Sequence, residues 1–342
     1  MEYRHKFMRG TVRSIINKAI NDIRTDPRRG IRNLADLGEL FSTSPVQRKF
    51  IALVRSVLKH PCNPYNELIV KMIRNVERES LQTLSLNFGY TALSYGAKTL
   101  RKRQTELGCR IPWLLIYRFD QAESQMDARE QLLSLVAQGA ELGIFSFLLQ
   151  PSNVQDLATA GEICRACPEC LFCIAAPAAL LAQGQEDSLL QIPNLLLMVE
   201  MTGARDWPVS QWEAVEHVFH RLREAERCFG YYAYYSEEDV KFFTSPGFTR
   251  RMIQNDCLIG SYINRTPGLE ALEDRVYSYV CSERGRNGKP LFVMDFYRDI
   301  DYVAKSVSGG DYLVISGGDG TPQVEISLLE KIRGNHRLQS VQ

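Results

Sequence analysis

No stretch of this 342-residue chain approaches the roughly 18–20 consecutive apolar residues that a membrane-crossing helix needs. The basic start also lacks the apolar core of an export signal. Net charge is nearly missing: 41 Lys and Arg stand against 40 Asp and Glu, which removes any global pull toward nucleic acid. No Ser–His–Asp or Cys–His arrangement has an interpretable spacing. The "SGGDG" stretch has neither the Lys-Ser/Thr pair nor the helix start of a phosphate-cradling loop, and it reads as a glycine-rich turn. An odd number of cysteines, nine, in a chain without an export signal points to a reduced, cytoplasmic setting.

What the chain does have is unevenly distributed. Residues 1–60 carry thirteen Lys and Arg against five acids, so this segment is strongly basic and the remainder correspondingly acidic. In "FMRGTVRSIINKAINDIR", Met8, Val12, Ile15, Ile16, Ala19, Ile20 and Ile23 recur at helical spacing, with Arg9, Arg13, Lys18 and Arg24 largely off the stripe. Such a helix either packs its stripe into the rest of the protein, the favoured reading, or lies on an anionic membrane surface. Helical patterns continue to Gly108.

From residue 111 the texture changes. Short runs rich in β-branched and aromatic residues ("WLLIYRF", "IFSFLLQ", "LFCIAA", "LLLMVEM", "FGYYAYY", "CLIGSYI", "LFVMDF") alternate with helical stretches. Strands that are apolar on both faces, separated by helices, predict a parallel α/β sheet, and the number of units favours a partial barrel. "DYLVISGGDGTPQVEIS" predicts a closing hairpin turning at Gly317, Gly318 and Gly320, followed by a short helix. The expected division is a helical domain over 1–108, a barrel over 109–300 and a hairpin with short helix over 301–342.

"CRACPECLFC" places Cys164, Cys167, Cys170 and Cys173 at three-residue intervals, close to an iron–sulfur spacing. Converging thiolates need an irregular loop, however. This segment reads as a helix end, a turn at Pro168 and a strand start, at the end of the barrel opposite its chemistry. The favoured reading is four structural cysteines, with a metal or cluster as the alternative. Glu213, His217 and His220 share a helix face, which reads as a solvated outer surface.

The order "CRIPWLLIYRFD", strand–helix units, "KPLFVMDFYRD", "GGDYLVIS" and "SLLEKIRG" resembles a branch of the radical SAM superfamily with a helical N-terminal extension. The resemblance runs from about Arg55 onward. It implies a partial (β/α)6 TIM-like barrel with an all-helical N-terminal domain and a C-terminal hairpin. It also implies three sets of ligands, none of which is in place. The loop after the first strand, "RFDQAESQMDAREQ", has no cysteine, and none occurs between Cys109 and Cys164. Gln150-Pro151-Ser152 stands where the family has Gly-Gly-Glu. The C-terminal neighbourhoods where relatives hold an auxiliary cluster read Gly310-Asp311-Tyr312 and Gln323-Val324-Glu325.

The expectation is therefore a non-catalytic pseudoenzyme without cofactor. It would act as scaffold or binding partner, of an active radical SAM enzyme or of its peptide substrate, and not of nucleic acid. Candidate ligand-binding residues are those at strand C-terminal ends: Arg118, Asp120, Gln150, Glu200, Arg205, Tyr235, Asn264, Arg265 and Asp295. Glu200 and Arg205 fall where related enzymes contact S-adenosylmethionine. The bases and acids among the candidates are expected to pair across one mouth, with carboxylate pKa values lowered by the arginines. The competing expectations are an enzyme using Asp120, Glu200, Tyr235 or Asp295 for cluster-independent chemistry, and membrane-surface contact through residues 1–60.

Overall fold

The computed structural model describes residues 2–40, 48, 52, 55–60, 62–119, 125–182, 189–265, 270–285, 288–307, 309–316 and 328–339. The first part is helical: α1 (Glu2–Thr25), α2 (Pro27–Leu40), α3 (Pro64–Asn75), α4 (Arg78–Ser85), a π-helical segment (Leu86–Gly96) and α5 (Ala97–Leu107). Local chemistry sets the ends. Asn63 accepts a hydrogen bond from the Tyr65 N–H ahead of Pro64, and Gly108 closes α5 in the left-handed region at φ 66°.

Eight strands follow: β1 (Leu114–Arg118), β2 (Ser146–Gln150), β3 (Leu171–Pro177), β4 (Leu195–Glu200), β5 (Phe229–Tyr235), β6 (Ile259–Asn264), β7 (Phe292–Asp295) and β8 (Tyr312–Ser316). Between and after them come α6 (Gln125–Leu142), α7 (Val154–Ala166), α8 (Ala178–Leu181), α9 (Val209–Glu224), α10 (Glu237–Phe243), α11 (Pro246–Gln254), α12 (Glu270–Glu283), α13 (Phe296–Val307) and α14 (Leu328–Gln339). All pairings are parallel, in the order β7-β6-β5-β4-β3-β2-β1-β8. The α/β parallel architecture is as the sequence predicts: the seven apolar runs are β1 to β7. The first arm of the expected hairpin is β8, which pairs in parallel with β1. The turn and the second arm lie outside the described residues.

The sheet is open but strongly curled. Laid flat, eight strands would hold the edge strands roughly 34 Å apart at about 4.8 Å per step. Instead Phe296, directly after β7, and Tyr312, the first residue of β8, bring their rings to 6.1 Å. Strand parity shows which side is the hollow. Every strand residue that is not fully buried belongs to one face, running from Tyr312, Val314 and Ser316 through Arg118, Gln150, Cys173, Glu200 and Tyr234 to Ile259 and Met294. The other, convex face is buried throughout under the crossover helices.

The N-terminal helices close the lower end of this trough. Ile20, Ile23, Ile31, Leu68, Ile73 and Val76 form one apolar cluster with Cys228 and Leu258, against which Leu196 and Ile259 pack from the concave face. Polar contacts pin the same junction. Lys71 reaches Asp256 at 2.9 Å and the Ile253 carbonyl at 3.0 Å, and Arg227 donates to Ser80 at 3.1 Å and Glu77 at 2.6 Å. The stripe of α1 is therefore in the protein interior: Val12, Ala19, Ile20 and Ile23 are buried. That is the packed arrangement, with Met8, Ile15 and Ile16 of the stripe half-buried. No helix among the described residues is long and apolar enough to cross a membrane.

The β7 edge is capped. In a parallel sheet both backbone groups of alternate residues point outward, here those of Val293 and Asp295. Arg284 donates from Nε to the Val293 carbonyl at 2.9 Å and from a terminal nitrogen to Asp299 Oδ1 at 2.9 Å, while Asp299 Oδ2 accepts the Asp295 N–H at 2.9 Å. One ion pair thus takes the place of a neighbouring strand.

Candidate functional site

The four-cysteine run lies where the sequence places it, distributed over a helix end, a turn and a strand. Cys164 is in α7, Cys167 caps it, Cys170 is buried before β3, and Cys173 lies in β3 on the concave face. The turn is held by amides. Pro168 has no N–H to give the Cys164 carbonyl, and Asn194 supplies one from Nδ2 at 2.9 Å, also reaching the carbonyls of Cys167 at 3.1 Å and Cys170 at 3.2 Å. Asn87, from the π-helical segment, donates to the carbonyls of Pro168 at 2.9 Å and Cys170 at 2.8 Å. Arg9 of α1 donates to Asn87 at 2.7 Å and to Thr91, and pairs with Glu169 at 3.5 Å.

Burial raises the pKa of all four thiols, that of Cys173 to about 12. Among the described residues no group of three or more His, Cys, Asp or Glu side chains is arranged to hold a metal.

Two further positions that the resemblance singles out, one at each end of the strands, are closed by their own surroundings. At the start of β8, a Cβ on Gly310 would lie 2.2 Å from the Ile111 carbonyl oxygen, so this close backbone approach admits no cysteine there. After β2, the backbone is closed by its own side chains. Asn153 accepts from the N–H groups of Gln155 (2.9 Å) and Asp156 (3.0 Å), and Asp156 accepts from the Ser152 N–H (3.0 Å) and hydroxyl (2.6 Å). A reciprocal capping box of Ser236 and Asp239 uses the corresponding donors after β5.

The concave mouth brings together only part of the expected set. Arg118, Gln150 and Glu200 end their strands on the concave face, two residues beyond the apolar row Ile116, Leu148 and Met198. Arg118 donates its Nε–H to Gln150 Oε1 at 3.0 Å, and Gln150 donates to the Tyr234 hydroxyl at 3.3 Å, tying β1, β2 and β5 together across the hollow. Glu200 accepts the Tyr232 hydroxyl at 3.2 Å. Burial, with the Glu200 charge added, pushes the Tyr232 pKa well above the ordinary phenol range, which keeps it a donor.

The remaining candidates are elsewhere. Tyr235, Asn264 and Asp295 have the opposite parity and face the helices. Tyr235 is 1 % exposed, and Asn264 donates to Glu273 at 2.8 Å. Asp295 accepts the Arg298 N–H at the start of α13, and its pKa is raised by desolvation despite Arg298, not lowered as expected. Arg205 turns outward to Asp206 (2.9 Å) and Glu238 (3.3 Å) and meets neither Glu200 nor a balanced charge cluster. Arg265 is exposed, and Asp120 lies outside the described residues. Of the expected enzyme set, Glu200 is therefore on one face of the sheet and Tyr235 and Asp295 on the other. His220, of the helical triad, meets only Glu224 at 3.3 Å, with both side chains 66 % exposed.

Four tyrosines and two serines also belong to the concave face; of these, the sequence reading places only Tyr234 among the strand-end residues. Tyr232 and Tyr234 are cross-packed with ring centroids 5.9 Å apart, and Tyr297 and Tyr312 face each other at 6.2 Å. The hydroxyls of Ser146 and Ser261 are buried there without a hydrogen-bond partner. In "FGYYAYY" both parities are aromatic, so the inward one is invisible locally. The signal lay in β2 and β4, where the terminal polar residues Gln150 and Glu200 mark the inward parity and the strand register carries it to Tyr232 and Tyr234.

No protein-family model and no curated protein sequence matches this chain. Among solved structures, it is similar to the crystal structure of Streptococcus suis SuiB bound to S-adenosylmethionine, at 11% identity over 69% of this chain and 67% of that one, with a TM-score of 0.47. SuiB bound to precursor peptide SuiA gives 10% identity, 69% and 68% coverage and 0.47. A further crystal structure of Streptococcus suis SuiB gives 11% identity, 85% and 82% coverage and 0.46. Likenesses at this level carry nothing about chemistry.

Proposed function

We propose that this chain is a non-catalytic relative of the radical SAM barrels, retained as a binding protein whose trough receives a segment of a protein or peptide partner. One observation supports this reading above the others. The strand ends that would serve a cofactor are hydrogen-bonded to one another, Arg118 to Gln150 to Tyr234 and Glu200 to Tyr232, above a floor of apolar side chains. A mouth linked in this way is preorganised for polar recognition and has no thiol at its rim, while the half-exposed hollow beneath it has the mixed character of a binding site. The enzymatic alternative lacks a paired acid and base on the same face.

Anaerobic reconstitution with iron and sulfide tests the proposal. The expected result is no charge-transfer absorption near about 400 nm, and no 5′-deoxyadenosine on adding S-adenosylmethionine and reductant. Stoichiometric absorption that disappears in Cys167→Ala, together with cofactor cleavage, would refute it.

A further inference from the structure

Arg118 is an unusual arginine. It is exposed at the end of β1, its Nε–H is held by Gln150, and among the described residues it makes no ion pair. Fixing Nε aims the guanidinium while leaving its two terminal nitrogens to donate, the edge that a carboxylate fits with two parallel bonds. Hydroxyls surround it. Tyr234 is linked through Gln150, and Tyr297 and Tyr312 stand close enough that its positive charge pulls their pKa down against the upward push of burial.

All three tyrosines are half-exposed, so their hydroxyls are within reach of a ligand. Rings line the approach: Phe296, Tyr297 and Tyr312 pack at 5.5–6.2 Å. Below lie the apolar rows of the trough, Ile116, Leu148 and Met198, on which an apolar body can rest. The competing anion sites at this end, the backbone N–H groups at the starts of α7 and α10, are already taken by Asn153, Asp156 and Asp239.

The geometry points to a carboxylate-binding subsite built from Arg118, Gln150, Tyr234, Tyr297 and Tyr312, which takes an acid carried on an apolar, ring-bearing body. This rests on the reading of the trough as a binding site and names the chemistry that the site selects. The acid is either the carboxylate of a peptide or a free organic acid, and the two are separable by experiment. No covalent step is involved. Binding replaces the hydration of one guanidinium by a bidentate ion pair inside a wall of phenols.

Calorimetric titration of the full chain tests the inference with four probes: phenylacetate, phenylacetamide, N-acetyl-leucyl-tyrosine and its C-terminal amide. At least one acid should bind saturably, and its amide at least about tenfold more weakly, the loss expected for one charge-assisted contact. Preference for the peptide acid over phenylacetate would identify a peptide source, and the reverse a free acid. Arg118→Met should remove the discrimination between acid and amide. Glu216→Gln, on the outer surface, should keep it, which controls for a general charge effect. Equal binding of acid and amide, discrimination that survives in Arg118→Met, or no binding of either acid at about 10 mM would overturn the subsite. A chain that forms no cluster yet ignores both acids would sink this inference alone, whereas cluster formation with cofactor cleavage would sink the reading beneath it.

Discussion

Replacing Asn194 by alanine tests whether the cysteine run is a structural turn. The Asn194 side chain is 1 % exposed and its amide nitrogen serves three carbonyls. They are not equally dependent on it. The Cys170 carbonyl keeps Asn87 at 2.8 Å, and the Cys167 carbonyl keeps the Cys170 N–H at 3.1 Å. The Cys164 carbonyl loses its donor outright, because the residue four positions on is Pro168. One orphaned buried carbonyl costs about 1–3 kcal/mol, and each of the two weakened bonds adds up to about 0.5–1. A loss of roughly 2–4 kcal/mol follows.

For a chain of this length, with an unfolding entropy of about 2.1 cal/mol/K per residue, that loss lowers the melting temperature by about 3–6 °C in calorimetry. Asn194→Asp should be worse, since it faces three acceptors with another acceptor. Cys167→Ala, by contrast, removes a half-exposed thiol and should cost under about 1 kcal/mol. Neutral behaviour of Asn194→Ala, or an ordering in which Cys167→Ala is the more damaging, would refute the reasoning and return the run to the status of a ligand site.

Other perturbations separate the remaining interactions. Arg205→Met should leave the melting temperature unchanged, because its partners are surface acids; a marked drop would show that it supports the mouth after all. Glu169 lies 3.5 Å from His5 Nε2 and faces Arg9 and Lys6, and these three hold its carboxyl below the usual glutamate range. Its contribution is thus fully present above the unfolded pKa of about 4.3 and lost as the pH falls through the lower folded value. The difference in melting temperature between wild type and Glu169→Gln should therefore be flat above about pH 5 and close below about pH 4, and a difference growing toward acid would contradict the sign. Arg284→Ala should cost about 2–4 kcal/mol by leaving Asp299 and the Val293 carbonyl unpaired, with self-association rising with concentration in sedimentation. A variant as monomeric and stable as wild type would dismiss the edge cap.

The parallel sheet and its leading helices are legible in the sequence because both depend on local pattern: apolar runs with no polar parity, helical stripes, and Asn-Pro and Gly punctuation. The site is only half legible. Gln150 and Glu200 announce themselves as polar ends of apolar strands, but Asp295 and Asn264 do so equally well, and only the register shows that they face the helices. Arg205 follows Gly203 at φ 77°, and this left-handed turn redirects the chain away from the mouth in a way that no residue type announces. Tyr297 and Tyr312 are far apart in the pattern and meet only because the sheet curls. The capped edge was equally hidden, since it links Arg284 to Asp299 across β7.

That cap gives the sheet a direction. The Val293 carbonyl and the Asp295 N–H are already answered by side chains, which disfavours adding a further strand to β7. The other border, β8, also turns the N–H and C=O groups of Tyr312, Val314 and Ser316 outward, and among the described residues no ion pair caps them as Arg284 and Asp299 cap β7.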